Sequence, residues 1–170
     1  MFAFLRPRSV GRALAGLVAV ATWLGSGCHQ VPRPLGSGVP FPTGYRQWYH
    51  VRTMLIEAGN PLHDAFGGIH HVYANDLARQ GLVDGQYADG AVLVLDLLAA
   101  ESGDRAVLEG PRKMLAVMHR SAAAHAATGG WGFASFDGSG TDQVTDMVRQ
   151  CYLCHQLRAA EGHVFSRLRP

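Results

Sequence analysis

Near the end of the chain stands the run Cys151-Tyr152-Leu153-Cys154-His155. Two thiols three positions apart, with an imidazole directly after the second, are the groups that attach a c-type haem. The thiols reach the two vinyl groups of one porphyrin and form thioethers. On a helix, positions i, i+3 and i+4 share a face, so Cys151, Cys154 and His155 point the same way. His155 then stands beside the iron as an axial ligand. A zinc site needs more ligands at suitable spacing, and the three cysteines leave no second pair. A thioredoxin-like pair opens a helix after a strand in a βαβ unit. This motif lies deep in a C-terminal helix instead.

The 170 residues suggest one domain. Residues 1–27 read as a secretory signal: Arg6, Arg8 and Arg12, then the apolar Ala13 to Leu24, then Gly25, Ser26 and Gly27. Export suits the haem motif, since bacteria build c-type cytochromes outside the cytoplasm. Leu24-Gly25-Ser26-Gly27-Cys28 resembles a bacterial lipobox, with Leu one place further from the Cys than usual. If it is used, Cys28 carries lipid and tethers a periplasmic protein to a membrane; otherwise the protein is soluble and periplasmic. A leftover thiol is a liability in an oxidising compartment, which favours lipidation. Lys+Arg number 15 against 13 Asp+Glu, but three of the Arg lie in the signal, leaving 12 against 13. The basic balance therefore gives no reason to expect a nucleic-acid partner.

The elements that must position the motif follow in order. Residues 28–44, with Pro32, Pro34, Pro40 and Pro42 among glycines, read as a linker, and the haem domain as 45–170. Residues 46–57 read as a strand and 61–68 as a loop. Residues 69–80 read as a short helix closed by Gly81. Residues 91–99 give the clearest strand, with Ala91, Leu93, Leu95, Leu97 and Ala99 on one face and Asp96 on the other. A turn follows, then strands over 112–119 and from Trp131 to Phe136. Thr141 or Asp142 would cap the last helix. The fold class is α+β: a mainly antiparallel sheet, a short mid-chain helix and a C-terminal haem-attachment helix.

Small helical electron carriers place C-x-x-C-H near the N-terminus, with a Met ligand later. Here 15 residues follow His155 and none is Met. A sixth protein ligand must come from His50, His63, His70, His71, His119, His125 or an upstream Met. The sheet-like middle argues against the four-helix cytochromes c′.

The chain resembles the cytochrome P-460 family, which includes the β-sheet cytochromes c′-beta. The likeness rests on His70-His71-Val72-Tyr73-Ala74-Asn75, Asp89-Gly90-Ala91-Val92-Leu93-Val94, Gly129-Gly130-Trp131-Gly132-Phe133, Cys151 to His155, and Val164-Phe165. It spans roughly residues 45–168. The resemblance implies a homodimer, one covalent haem per chain with His155 as proximal ligand, and an iron face open to small nitrogen ligands.

The family holds two chemistries. One member type oxidises hydroxylamine and carries a lysine cross-linked to haem; the other lacks the link and binds nitric oxide under an apolar cap. The single lysine, Lys113, shares a strand face with Leu115, Val117 and His119 and is the cross-link candidate. The family's lysine lies further upstream, near Gln86 and Tyr87, where this chain has none. Phe66 and Phe136 are candidates for an apolar cap, and Glu101, Asp96 and His119 for a base. Three readings follow: a nitrogen-ligand-binding cytochrome, a hydroxylamine- or NO-oxidising enzyme, and a six-coordinate electron carrier with an unknown redox partner.

Overall fold

The computed structural model describes residues 37–168. The expected signal peptide, Cys28 and the first part of the expected linker lie outside the described residues. Five strands form one antiparallel sheet in chain order: β1 (Tyr49–Ile56), β2 (Gly68–Ala74), β3 (Val92–Gly103), β4 (Ala106–Arg120) and β5 (Trp131–Phe136). Sequential antiparallel neighbours need only short connections. One turn of helix, α1 (His63–Phe66), lies between β1 and β2, and α2 (Asp76–Asp84) between β2 and β3. The chain ends in a helix over residues 148–161, so the α+β reading holds.

Residues 69–80 correct the sequence reading. Their first half is β2, paired on both sides, and an inner strand buries both faces. Its apolar residues therefore lose the clean alternation that marks a strand. The helix begins only after Asn75, whose side-chain oxygen accepts from the Ala78 N–H at 2.9 Å and the Val92 N–H at 3.0 Å. It ends at the left-handed Gly85 (φ 80°), not at Gly81. Gly81 lies inside the helix, and its lack of a side chain makes room for Tyr87, since a Cβ there would stand 2.3 Å from the Tyr87 ring.

The sheet is buried on two sides. On the first lie Val72, Ala74, Leu93, Met118, Trp131 and Phe133, with Cys151 and Tyr152 packed against them. On the second, Val94, Leu115, Val117, Ala134 and Phe136 meet Val39, Tyr45 and Trp48. The last part of the predicted linker is thus docked: Val39 is buried, and the Ser37 hydroxyl and N–H each donate to Asp142 at 2.6 Å. This role for Asp142 replaces the expected helix cap. The helix starts later, with the Asp146 carboxylate accepting from the Arg149 N–H.

Asp96, on the face of β3 opposite Leu93, Leu95 and Leu97, is buried on this second side. It accepts from Tyr45 Oη (2.5 Å), Arg46 Nη2 (2.8 Å) and Arg112 Nε (2.7 Å). The strand expected over 112–119 begins at Ala106 and runs through Gly110-Pro111, forming with β3 an arm whose tip is exposed.

Gly68 opens β2 at φ 126°, where a Cβ would stand 2.2 Å from the Leu98 carbonyl oxygen. Both the dihedral and the close backbone approach require glycine. Gly68→Ala is expected to cost roughly 2–4 kcal/mol, read as the shift in the urea midpoint.

Candidate functional site

The C-terminal helix is built from three kinds of turn. Val148–Tyr152 is a π turn, Leu153–His155 an α turn and Gln156–Glu161 a 3₁₀ stretch. Cys151 sits in the widened turn, half-buried against the first side of the sheet, while Cys154 is exposed. Both are free thiols, as thioether formation requires. Burial, with Asp142 nearby, pushes the Cys151 thiol up to about 11.

His155 lies between Phe133 and Phe165, at ring-centroid distances of 4.9 and 5.1 Å. Its Nδ1 is 2.8 Å from the carbonyl oxygen of His163. A carbonyl only accepts, so Nδ1 carries the proton and Nε2 keeps its lone pair. Burial lowers the imidazole pKa against the effect of that bond, which keeps the ring neutral. A neutral imidazole, held by its far nitrogen with the other bare, is the form that binds a metal.

The carbonyl that holds it belongs to an unusual turn. Gly162 and His163 both adopt left-handed backbone, at φ 67° and 68°. Gly162 is close-packed, since a Cβ would stand 2.4 Å from the Gly85 carbonyl oxygen. Its own carbonyl accepts from Trp131 Nε1 at 2.9 Å, tying the turn to β5. Sequence reasoning missed this partner of His155; a glycine seven residues after the histidine was the available signal.

Strand alternation sorts the proposed sixth ligands. His70 pairs with Met54 and Leu97, Val72 with Leu95, and Leu95 with Ala116. His70, Met54, Met114 and Met118 therefore share the side on which Cys151 packs. His71 and His119 fall on the other, as does His50, 5.7 Å from His71 between ring centroids. Of the two expected caps, Phe136 is also on the other side, packed on Phe41. Phe66 is in α1, partly exposed. Of the candidate bases, Asp96 is engaged by Tyr45 and two arginines, and Glu101 is exposed on the β3–β4 arm.

Lys113 departs from its expected place. A bulge shifts the register between Leu97 and Leu98, where Met114 and then Arg112 are the partners on β4, so Lys113 is skipped and the expected alternation is broken. Its Nζ donates to the Gly67 carbonyl at 2.7 Å. It lines a cavity of about 410 Å³ with Leu55, His63, Gly67, Ala99 and Val107, and no residue of the C-terminal helix lines it.

Two observations fit a haem on the first side of the sheet. Leu95, Met54, Met114 and Ala116 remain only partly buried there, an apolar strip suited to a flat ring. Nearby, Arg52 Nε and His70 Nδ1 are buried without hydrogen-bond partners, although buried polar atoms are nearly always satisfied. The Arg52 guanidinium suits a carboxylate such as a haem propionate. Among the described residues no three His, Cys, Asp or Glu side chains converge on a metal site of their own. Nor is any described helix long and apolar enough to cross a membrane.

The sequence model of the Cytochrome P460 family matches residues 42–166. No curated protein matches the chain.

Proposed function

The chain belongs to the cytochrome P460 family, and from that membership we propose an exported mono-haem c-type cytochrome that binds NO or a related small nitrogen ligand on an open iron face. Haem binding follows from the family; the covalent link, the single haem and the ligand are this proposal. Cys151 and Cys154 supply the thioether sulfurs and His155 Nε2 the proximal lone pair. The haem, when bound, supplies an iron that takes small nitrogen ligands and exchanges electrons. Arg52 offers a cation for a propionate, and the half-buried strip keeps water off the ring. The observation that carries the reading is the His155 geometry: a neutral imidazole, locked by His163, beside two free thiols. Export through residues 1–27, the periplasm as destination, lipid on Cys28, an unknown redox partner and a homodimer belong to the same proposal.

Absorption and EPR spectra of the purified protein test it. A high-spin spectrum that changes on adding NO is expected. A low-spin six-coordinate spectrum in both redox states would instead make the protein an electron carrier. Lys113→Ala separates off the cross-linked, hydroxylamine-oxidising alternative. Because Lys113 is held by Gly67 at the rim of its own cavity, the variant is expected to leave the Soret band unmoved. A ferrous Soret band far to the red that returns in the variant would establish the cross-link.

A further inference from the structure

The helix that carries His155 does not by itself fix the imidazole. It passes from π to α to 3₁₀ turns within residues 148–161, and Arg158 leaves helical backbone at φ −113° and ψ 29°. The turn that holds the ring follows at once. Its own hydrogen bonds run from the N–H groups of Gly162, His163 and Val164 back to the carbonyls of Ala159, Arg158 and Glu161, all in the same segment. They shape the turn but do not place it against the sheet. His163, at φ 68°, holds a backbone that a non-glycine residue seldom adopts, so its surroundings must maintain it. Among the described residues, the one hydrogen bond that reaches 162–164 from outside the segment is the Trp131 indole N–H on the Gly162 carbonyl, at 2.9 Å.

Trp131 is a firm anchor for that bond. It is 1 % exposed. The Tyr87 ring meets it edge-on at 5.1 Å, the Arg120 guanidinium lies 5.6 Å from its ring, and the Thr128 hydroxyl donates to its carbonyl at 2.6 Å. An indole has a single donor, and here it is spent on the residue before His163. Phe133, two residues along β5 and on the same side, packs on the imidazole itself at 4.9 Å. One strand thus meets the ligand twice. Phe133 sets the plane of the ring, and Trp131 sets the place of the carbonyl that holds its far nitrogen. β5 is paired along β4, a stiffer reference than a helix of mixed turns.

We infer that Trp131 is a positioning residue for the proximal ligand: its indole N–H locks the Gly162–His163 turn and, through the His163 carbonyl, sets how firmly His155 donates to iron. This rests on the reading above, in which His155 is the one protein ligand. A hydrogen bond at Nδ1 raises the basicity of a metal-bound imidazole, so slack in that bond weakens Nε2 as a donor and favours the ferrous state.

The test reads the iron–histidine stretching band of the ferrous holoprotein by resonance Raman spectroscopy, with a redox titration beside it. Trp131→Phe keeps a flat apolar ring on the strand and removes the N–H. Its band is expected at lower wavenumber than in the wild type. At a fixed solution potential its ferrous-to-ferric ratio is expected to rise about threefold, less than the roughly tenfold effect of removing a ligand's own partner, because Trp131 acts one residue away. Tyr87→Leu loosens the seat of Trp131 but keeps the N–H, and is expected to lower Tm with the band unmoved. If Trp131→Phe does not take up haem, benzothienylalanine at position 131, with sulfur in place of N–H and the same shape, carries the same expectation. Lost stability with band and potential unchanged would make Trp131 a packed residue with a satisfied donor and overturn its positioning role. So would an equal band shift in Tyr87→Leu, which assigns the effect to packing. A wild type that is six-coordinate in the ferrous state overturns the one-ligand reading, and this inference with it.

Discussion

Replacing Cys151 and Cys154 together by serine is expected to abolish covalent haem, leaving essentially all recovered haem extractable by acidic acetone. Serine keeps the size and the helix but not the nucleophilic sulfur, and these two thiols are the free cysteines among the described residues. The single variants should differ from the double. Each leaves one thioether and one conjugated vinyl group, which moves the pyridine-haemochrome band to longer wavelength. Cys154→Ser, at an exposed position, should fold like the wild type. Cys151→Ser sets a hydroxyl against the apolar first side of the sheet and should also lose about 1–2 kcal/mol of stability. His155→Ala separates attachment from ligation: the thioethers form, the proximal ligand is absent, and added imidazole restores the spectrum. If the double serine variant still carried acid-stable haem, the assignment of this helix as the attachment site would fail.

The C-x-x-C-H motif was legible because its spacing is local. Cys151, Cys154 and His155 carry it within one short run, and no tertiary contact is needed to recognise them. What holds His155 was not legible, because His163 acts through its backbone oxygen and through a left-handed turn, and neither leaves a mark on residue type. The strands over 91–99 and 131–136 were plain from composition. The strand over 68–74 was hidden for a physical reason: burial on both faces makes His70, His71, Val72 and Tyr73 look aperiodic at period two. That error mattered for function, since a helix assigns His70 and His71 to no fixed side, whereas a strand sends them to opposite sides of the sheet. Lys113 was misplaced by one skipped residue at a bulge, which no pattern of apolar residues announces. Alternation alone sets Asp96 opposite Leu93, Leu95 and Leu97, and it does not reveal what buries Asp96. Its partners Tyr45, Arg46 and Arg112 come from two distant segments.

Asp96→Asn is expected to be the most destabilising polar substitution on the second side of the sheet. The carboxylate is fully buried and takes hydrogen bonds from Tyr45, Arg46 and Arg112, so three donors from two segments converge on one charge. Burial alone would raise its pKa; Arg112, Tyr45 and Arg46 together outweigh burial and hold it below the usual carboxylate range. An amide in its place leaves two guanidinium groups facing each other with no anion. Breaking a buried pair by removing one partner costs about 3–5 kcal/mol, and a loss of that size lowers Tm by roughly 10–20 °C in a domain of this length. The two arginines should not be equal. Arg46 is about half exposed, with 52 % of its side chain accessible, and Arg112 less so at 31 %. Arg46→Ala should therefore cost the smaller amount, within about 1 kcal/mol, and Arg112→Ala more. The pH dependence has a definite sign. A depressed carboxyl contributes stability above its unfolded pKa and loses it as pH falls through the lower folded value. Wild-type stability should thus decline on the acid side, and Asp96→Asn should flatten that decline without removing it, because Asp142 and Asp137 are held low as well. Urea unfolding of both proteins from neutral pH into the acid range measures the difference; parallel curves would mean that Asp96 is protonated in the folded protein and that its arginines are held by something else.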